Sequence, residues 1–272
     1  MNRFSQSLFA LAATTIGLLS LPSTASAFTL KYAPDYTDSQ FESLISSGDY
    51  REEFVVQSQI GNNAVTGQNP LSGDTELHIF DAVYSNNSAP YSRTLPGVAS
   101  SNYGFTSGQA VDFMLQVTGA QVTYTVGNQV LTNSNFTAPF TDLFLRTRAD
   151  NGSMLLSDLK LNGQSIDGLA SNSSDTLKYL TIGGIQGDFT LSGKSTMTFT
   201  KAPFAEATRG ARVAYQIKAG RLSDTARTTI FGETPNTETS KVPEPGTVAA
   251  LLLTGAVIAV SNKKKKVAKQ EV

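Results

Sequence analysis

Residues 142–161 read DLFLRTRADNGSMLLSDLKL, two apolar-rich segments joined by Asn151-Gly152. In each segment apolar side chains alternate with polar ones, which is the period of a strand with one buried face. Asn-Gly is favoured in two-residue hairpin turns because both positions tolerate positive φ. The stretch therefore predicts an antiparallel hairpin in which Asp142–Ala149 pairs with Leu155–Leu161.

The register of this predicted hairpin follows from its leucines. With Ala149 opposite Leu155, four leucines share one face: Leu143, Leu145, Leu159 and Leu161. A slip of one residue would place Asp158 among leucines. The sequence thus predicts a cross-strand pair between Arg146 and Asp158, worth at most about 1 kcal/mol, and a bulge assisted by Gly152 at the turn.

Similar alternation, rich in Val, Thr, Phe and Tyr, recurs along the chain. Short strands at this spacing are typical of a sandwich or a barrel. We therefore predict an all-β fold, an antiparallel, jelly-roll-like β-sandwich over residues 28–219. Further turns are predicted at Gly127-Asn128, Asn162-Gly163 and Ser192-Gly193. The other predicted strands are 53–60, 76–84, 111–117, 122–131, 177–182, 188–191, 195–200 and 213–217.

One short helix is predicted near the start of the domain. Thr37 to Gln40 and Ser39 to Glu42 each fit a capping box, in which a hydroxyl and a side chain three residues later satisfy backbone N–H groups. Apolar residues follow at helical spacing until Gly48, a favoured helix terminator. We expect this helix to close one end of the sandwich.

The first 27 residues have the pattern of a secretory signal peptide. Arg3 precedes an apolar segment from Leu8 to Leu21, and Ala25-Ser26-Ala27 before Phe28 is a small-x-small cleavage pattern. This predicts export and cleavage by signal peptidase between Ala27 and Phe28. The chain has no cysteine, which excludes a disulfide and a lipoprotein anchor.

The last 31 residues, 242–272, contain three consecutive features. The first is the motif 242–247, Val242-Pro243-Glu244-Pro245-Gly246-Thr247, whose prolines favour an extended backbone conformation. An apolar segment follows over 247–262. The third is a basic tail, 263–269, which begins with Lys263, Lys264, Lys265 and Lys266. The uninterrupted apolar run is about 14 residues, or about 21 Å as a helix, against ~30 Å of hydrocarbon. Snorkelling lysines can extend it. We predict a transmembrane segment whose basic end is cytoplasmic.

This tail resembles the PEP-CTERM sorting signal of exported bacterial proteins, with Pro243, Glu244 and Pro245 as the motif residues. The resemblance implies processing by an exosortase-type membrane transpeptidase and delivery to the cell envelope, the cell surface or the extracellular matrix. The body is similar to the choice-of-anchor type domains, of the W kind, that precede such tails, and this points to a cyanobacterial source. The segments that carry this similarity are 124–127, 142–149, 155–163 and 179–198.

The charge of the exported part bears on its partners. Residues 28–242 contain 15 Lys and Arg against 20 Asp and Glu, a net charge of −5. An acidic body without a basic stripe argues against nucleic-acid binding. Apolar alternation fades after Gly220, so residues 220–241 are predicted to form a stalk or linker.

Catalytic chemistry is sparse in this sequence. His78 is the only histidine and there is no cysteine, which excludes Cys–His dyads and multi-histidine metal sites within one chain. Alternation places His78 beside Glu76 and Phe80, as a structural histidine. We therefore predict no enzymatic activity, no catalytic residue, no resident metal and no cofactor. Two alternatives stay open, a glycoside hydrolase using two of Glu52, Glu53, Asp74, Glu76 and Asp81, and calcium at Asp35, Asp38, Asp74 or Asp150.

The connection from Tyr84 to Gly108 is the segment with the clearest binding composition. It is rich in Ser, Asn and Gly and contains Tyr84, Tyr91 and Tyr103. Tyrosine rings with nearby amides and hydroxyls suit contact with an extracellular polysaccharide. The alternative is an ordinary loop whose tyrosines cover the edge of the sandwich.

Overall fold

Two antiparallel sheets face each other across one continuous hydrophobic core. The computed structural model describes residues 28–33, 36–61, 75–137, 139–150, 152–199 and 212–232. Sheet I has seven strands in the spatial order β1 (Thr29–Ala33), β14 (Leu177–Gly183), β10 (Asp142–Asp150), β16 (Arg212–Leu222), β2 (Tyr50–Ile60), β3 (Thr75–Asp81) and β6 (Gly97–Asn102). The all-β, antiparallel prediction is confirmed.

Sheet II also has seven strands. Their order is β12 (Gln164–Ser165), β11 (Gly152–Leu161), β15 (Phe189–Phe199), β7 (Ala110–Thr118), β8 (Gln121–Val126) and β9 (Gln129–Asn133), and β13 (Leu169–Asn172) pairs with β11. A separate pair joins β4 (Val83–Tyr84) to β5 (Arg93–Thr94). The two helices are α1 (Asp38–Ser47) and α2 (Asp224–Phe231).

The predicted hairpin of 142–161 is wrong, although its leucines are buried together. Strand β10 pairs with β14 and β16 in sheet I, whereas β11 pairs with β15 in sheet II. The chain passes from one sheet to the other between Asp150 and Gly152, so the leucines of the two strands meet across the core. A β-carbon at Gly152 would lie 2.3 Å from the Thr198 carbonyl oxygen, and this close backbone approach is why glycine follows Asn151.

The predicted Arg146–Asp158 pair is therefore wrong as well. Asp158 lies in sheet II, at a bulge of β11 where its φ is 51°. The predicted turn at Ser192-Gly193 is also wrong, because β15 runs unbroken through it. Gly193 lies at a crowded point of this strand, where a β-carbon would be 2.6 Å from Leu159 Cδ2 and 3.0 Å from the Ser157 carbonyl oxygen. The Asn162-Gly163 turn is confirmed, with φ values of 50° and 81°.

A hydrogen-bonded cluster lies inside the apolar core and joins the sheets. Tyr124 from β8 donates to the Tyr215 hydroxyl of β16 at 2.7 Å, and Ser58 of β2 lies 2.6 Å from the same Tyr124 oxygen. All three side chains are fully buried. Because a buried hydroxyl without a partner is costly, each of the three satisfies another.

Helix α1 begins and ends as predicted. Thr37 accepts from Gln40 N at 3.2 Å while the Gln40 side chain accepts from Thr37 N at 2.7 Å, which completes the capping box. Gly48 ends the helix with a φ of 84°. The helix does not close an end of the sandwich but covers the outer face of sheet I, where the large outward-facing rings of Phe144 and Tyr179 need cover. The second core formed there contains Phe41, Ile45, Tyr50, Phe144, Tyr179, Leu222 and Ala226.

Two predicted boundaries change. Residues 84–108, predicted to be an irregular connection, contain the end of β4, β5 and β6. Strand β6 is the edge of sheet I and is largely exposed, so it lacks the apolar alternation of an inner strand. Residues 220–231, assigned to the stalk, contain the end of β16 and helix α2. A bulge at Ala219/Gly220 interrupts the alternation there.

The signal peptide, the sorting motif 242–247, the apolar segment 247–262 and the basic tail 263–269 lie outside the described residues. Among the helices that are described, none has the length and apolar character needed to cross a bilayer.

Candidate functional site

Six polar side chains form a continuous row across the outer face of sheet I. They lie opposite one another on six neighbouring strands, as each Cα pairs with the next across the ladder. Their chain neighbours Leu145, Ile217 and Val56 point inward and are fully buried in the main core. This polar row consists of Tyr179, Arg146, Gln216, Gln57, His78 and Ser100.

Helix α1 and the residues after β4 cover part of the polar row and leave a cleft. The cleft has a volume of about 340 Å³, within the range of small-ligand sites. Its floor is formed by strands β10, β16 and β2. The lining residues are Asp38, Phe41, Glu42, Gln57, Gln59, Gly61, Arg93, Leu95, Arg146, Arg148, Tyr179, Ala214, Gln216 and Lys218.

One wall of the cleft is an ion pair between α1 and β10. Arg146 donates from Nε and Nη2 to the two carboxylate oxygens of Asp38, at 2.7 and 2.5 Å. The Tyr179 hydroxyl donates to Asp38 Oδ1 at 2.6 Å. Burial alone would raise the pKa of Asp38, but the hydrogen bonds and charge of Arg146 outweigh it and hold that pKa below its usual value.

Two cationic side chains that line the cleft, Arg93 and Lys218, contact the fully buried carboxylate of Glu52. Arg93 Nε lies 2.6 Å from Glu52 Oε2, and Arg93 Nη2 also contacts Glu42 at 2.9 Å. Lys218 Nζ lies 3.4 Å from Glu52 Oε1 and 4.7 Å from the centre of the Phe41 ring. Burial lowers the pKa of Lys218, and the charges of the two nearby arginines add to the effect.

The floor of the cleft carries side-chain amides. Gln216 Nε2 donates to Gln57 Oε1 between adjacent strands. Whichever way the two amides are oriented, this bond leaves one amide nitrogen and one amide oxygen of the pair without a partner among the described residues. Further along, Gln59 Nε2 donates to Glu76 Oε2.

The structure brings together two of the three predicted tyrosines. The Tyr84 and Tyr91 rings meet edge to face, 6.3 Å apart. The Tyr84 hydroxyl accepts from Glu52 N at 2.9 Å and donates to Glu52 O at 3.2 Å, and burial raises its pKa to about 12. Tyr103 lies elsewhere, against Phe105 and Gly127. The Tyr84 hydroxyl is thus engaged within the fold, and a ligand contact by these partly exposed tyrosines stays a prediction.

His78 lies beside Glu76 and Phe80, as predicted. Its Nε2 is 3.2 Å from Glu76 Oε2, and its ring stacks on Phe80 with centroids 4.9 Å apart.

Of the acids considered for calcium, Asp38 and Asp150 are paired with arginines. Among the described residues no group of three or more His, Asp or Glu side chains is arranged to hold a metal ion.

Several of the carboxylates considered for hydrolysis have basic partners. Glu52 is paired with Arg93 and Lys218, whereas Glu53 contacts Arg221 at 3.0 Å. Burial raises the pKa of Glu53 and nearby Asp81 adds to this, while Arg221 opposes it. Asp74 lies outside the described residues.

A second, larger depression of about 790 Å³ lies on the outer face of sheet II, around the bulge at Asp158. Its ion pair between Lys194 and Asp112, at 2.6 Å, is exposed, with side-chain exposures of 42% and 80%. Because exposed charges are well solvated, they gain little from a ligand. The cleft in sheet I, with its buried charges, is the stronger candidate.

The cleft was not predicted from the sequence. The sequence indicates Arg146 but with the wrong partner, Asp158, and the amides of Gln57 and Gln216 belong to no sequence motif. The signal in the sequence is a set of polar residues at outward positions of strands whose inward positions are mostly apolar. No protein-family model matches the chain, and no curated protein matches it either.

Proposed function

We propose that this chain is a non-enzymatic exported protein of the cell surface or extracellular matrix, sorted and processed through a PEP-CTERM signal. The supporting observation is that the described fold lies between the predicted signal peptide and the predicted sorting signal. Strand β1 begins at Thr29, just after the predicted cleavage at Ala27, and helix α2 ends at Phe231, before the motif at Pro243. Cleavage at both sites would leave every described strand and helix in the mature protein.

On this proposal, signal peptidase and an exosortase-type transpeptidase are the processing partners. The apolar segment 247–262 would hold the precursor in the membrane as a transmembrane helix until the C-terminus is processed. The jelly-roll-like sandwich would then be displayed outside the cell, joined to its acceptor by residues 233–241. The ion-paired acids and the single structural histidine support a non-enzymatic role.

The sorting proposal is tested by replacing the motif. In a host with an exosortase, Pro243→Ala with Glu244→Ala and Pro245→Ala should keep residues 263–269 attached and hold the protein in the membrane fraction. The matched control changes the same residue types upstream, Glu233→Ala with Pro235→Ala and Glu238→Ala, and should be processed normally. Mass spectrometry of the mature C-terminus provides the measurement. A wild-type mature protein that retains Lys263–Lys266 would overturn the proposal.

A carbohydrate-binding or adhesive role is the second candidate. The sequence predicts it for the 84–108 segment, where Tyr91→Ala with Tyr103→Ala should abolish polysaccharide retention. The Tyr84 hydroxyl is already hydrogen-bonded to the Glu52 backbone, whereas Arg93 and Leu95 of the same segment line the cleft. The open amides and buried charges of the cleft favour it as the place where a polar ligand would bind.

A further inference from the structure

We propose that the cleft on the outer face of sheet I binds a neutral saccharide, with Lys218, Gln57 and Gln216 as its contacting residues. The proposal shares its ligand class with the second candidate function but assigns a different site. It does not depend on the sorting signal. The assignment is supported by a buried donor, the open amides, the charge balance and the rigidity of the cleft.

The first step concerns Lys218, whose side chain lines the cleft and is only 6% exposed. An ammonium group has three N–H donors. Within the described part of the chain its nitrogen has one oxygen contact, Glu52 Oε1 at a long 3.4 Å, and one ring contact, Phe41. A buried ammonium that is so weakly satisfied gains from an added acceptor more than an exposed one does. A ligand oxygen in the cleft would supply it.

The second step concerns the kind of group that fits the floor. The Gln216–Gln57 bond leaves one amide nitrogen and one amide oxygen, so the floor offers both a donor and an acceptor. Only a group that both donates and accepts can satisfy both, and a hydroxyl does so. Several hydroxyls on one ring would meet Lys218 and the two amides together.

The third step concerns charge. Among the described residues, the four cations that line the cleft are each paired with a carboxylate, and the charges of these pairs sum to zero. The pairs are Arg146 with Asp38, Arg93 with Glu42 and Glu52, Lys218 with Glu52, and Arg148 with Asp150. An anionic or cationic ligand would find no uncompensated charge of opposite sign. A neutral polyhydroxyl ligand does not need an uncompensated charge in order to bind.

The fourth step concerns rigidity. Asp38 and Arg146 are joined by two hydrogen bonds, and Arg93 spans Glu42 and Glu52. Because these hydrogen bonds and ion pairs join α1 and the β5 segment to sheet I, the cleft is ordered before a ligand arrives, and less ordering entropy opposes binding. A longer saccharide leaving the cleft along the polar row would reach His78 and Ser100. The whole row spans about 24 Å at the usual strand spacing.

Isothermal titration calorimetry of residues 28–241, which contain both hydrophobic cores, tests the proposal. The probes are neutral tetrasaccharides of glucose, mannose, galactose and N-acetylglucosamine, with tetragalacturonate as the anionic comparison. We expect at least one neutral probe to bind, and Gln216→Ala to weaken it roughly tenfold or more, as loss of a buried hydrogen bond does. The matched control is Gln116→Ala, an exposed glutamine on the outer face of sheet II, which should leave binding unchanged.

Three results would overturn the proposal. These are no binding of any neutral probe at millimolar concentration, binding of tetragalacturonate alone, and binding that Gln216→Ala does not weaken. Loss of binding only in the Tyr91→Ala, Tyr103→Ala variant would assign the site to the 84–108 segment instead. Thermal unfolding of each variant shows that it is folded. Residues 28–241 lack both the predicted signal peptide and the predicted sorting signal, so a negative binding result does not contradict the sorting proposal.

Discussion

Arg146 Nε donates a hydrogen bond to Asp38 Oδ1 at 2.7 Å, and this contact joins the first turn of α1 to the centre of sheet I. The Arg146 side chain is 10% exposed and that of Asp38 is 49% exposed. The guanidinium is therefore largely withdrawn from water and depends on this carboxylate. The pair both holds the helix on the sheet and forms a wall of the cleft.

Asp38→Asn should destabilise the domain by about 1–2 kcal/mol. This is less than the roughly 3–5 kcal/mol of fully buried pairs, because water screens the half-exposed carboxylate. Since the pKa of Asp38 is lowered, its stabilisation is complete above the ordinary value of 3.8 and is lost as pH falls through the lower folded-state pKa. Urea unfolding at neutral pH and at about pH 3 measures both effects.

The matched control for Asp38→Asn is Asp175→Asn, which removes a surface pair with Lys178. This change should stay within about 0.5 kcal/mol. If the two substitutions cost the same, Asp38 does not hold α1 on the sheet.

The residues of 142–161 show what the alternation could predict and what it could not. Leu143, Leu145, Leu159 and Leu161 do share one core, because an inward-facing set of side chains follows from the period of the strand. The same period is found whether two strands lie side by side or face each other across a sandwich. The sequence could not distinguish these arrangements, and the favourable Asn-Gly turn selected the wrong one.

The partner of Arg146 could not be predicted from the strand pattern either, because it depends on tertiary packing. A charged residue on the outer face of a strand is normally solvated, so a cross-strand acid was the natural choice. Here α1 covers that face, and the acid comes from Asp38, 108 positions earlier in the chain. The capping box that starts α1 was readable because it is local. The surface that α1 covers depends on tertiary packing.

Tyr124→Phe should destabilise the domain by about 1–3 kcal/mol, because it leaves the buried hydroxyls of Ser58 and Tyr215 without their shared partner. A control, Tyr103→Phe at a partly exposed ring, should change stability by less than about 0.5 kcal/mol. Guanidinium unfolding of both variants provides the comparison. Equal losses would mean that the cluster joining the sheets adds nothing beyond packing.

The same cluster predicts a loss of stability at high pH. Burial raises the pKa of Tyr215 to about 12. A raised folded-state pKa gives stability that is complete below the ordinary value of 10.0 and is lost as pH rises through the folded value. Between about pH 9 and 12, the unfolding free energy of the wild type should therefore fall more steeply than that of Tyr215→Phe. Parallel curves would show that Tyr215 does not titrate differently on unfolding.

Ending the segment at Ser223 should lower the melting temperature sharply, whereas ending it at Thr239 should not. Arg227 of α2 lies 2.8 Å from both oxygens of the fully buried Asp142, and removing that partner costs about 3 kcal/mol. For a domain of this size the loss corresponds to roughly 6–12 °C. Calorimetry of 28–223 against 28–239 measures it. Equal melting temperatures would show that residues 224–239, with helix α2, add nothing to the stability of the domain, as expected of a stalk.

Lys218→Met should separate the stability of the domain from ligand binding. Burial lowers the folded-state pKa of Lys218, so the unfolded chain binds more protons between that value and the ordinary 10.5. The wild-type unfolding free energy should therefore rise with pH across this window relative to Lys218→Met. Lys218→Arg, which keeps its charge throughout, should also lack the rise.

Lys218→Met removes a desolvated charge while Glu52 keeps its contact with Arg93. The unfolding free energy of the methionine variant at pH 7 should therefore lie within about 1 kcal/mol of the wild-type value. Saccharide binding should nevertheless be lost, since methionine cannot donate to a hydroxyl. Retained binding in this stably folded variant would remove Lys218 from the site.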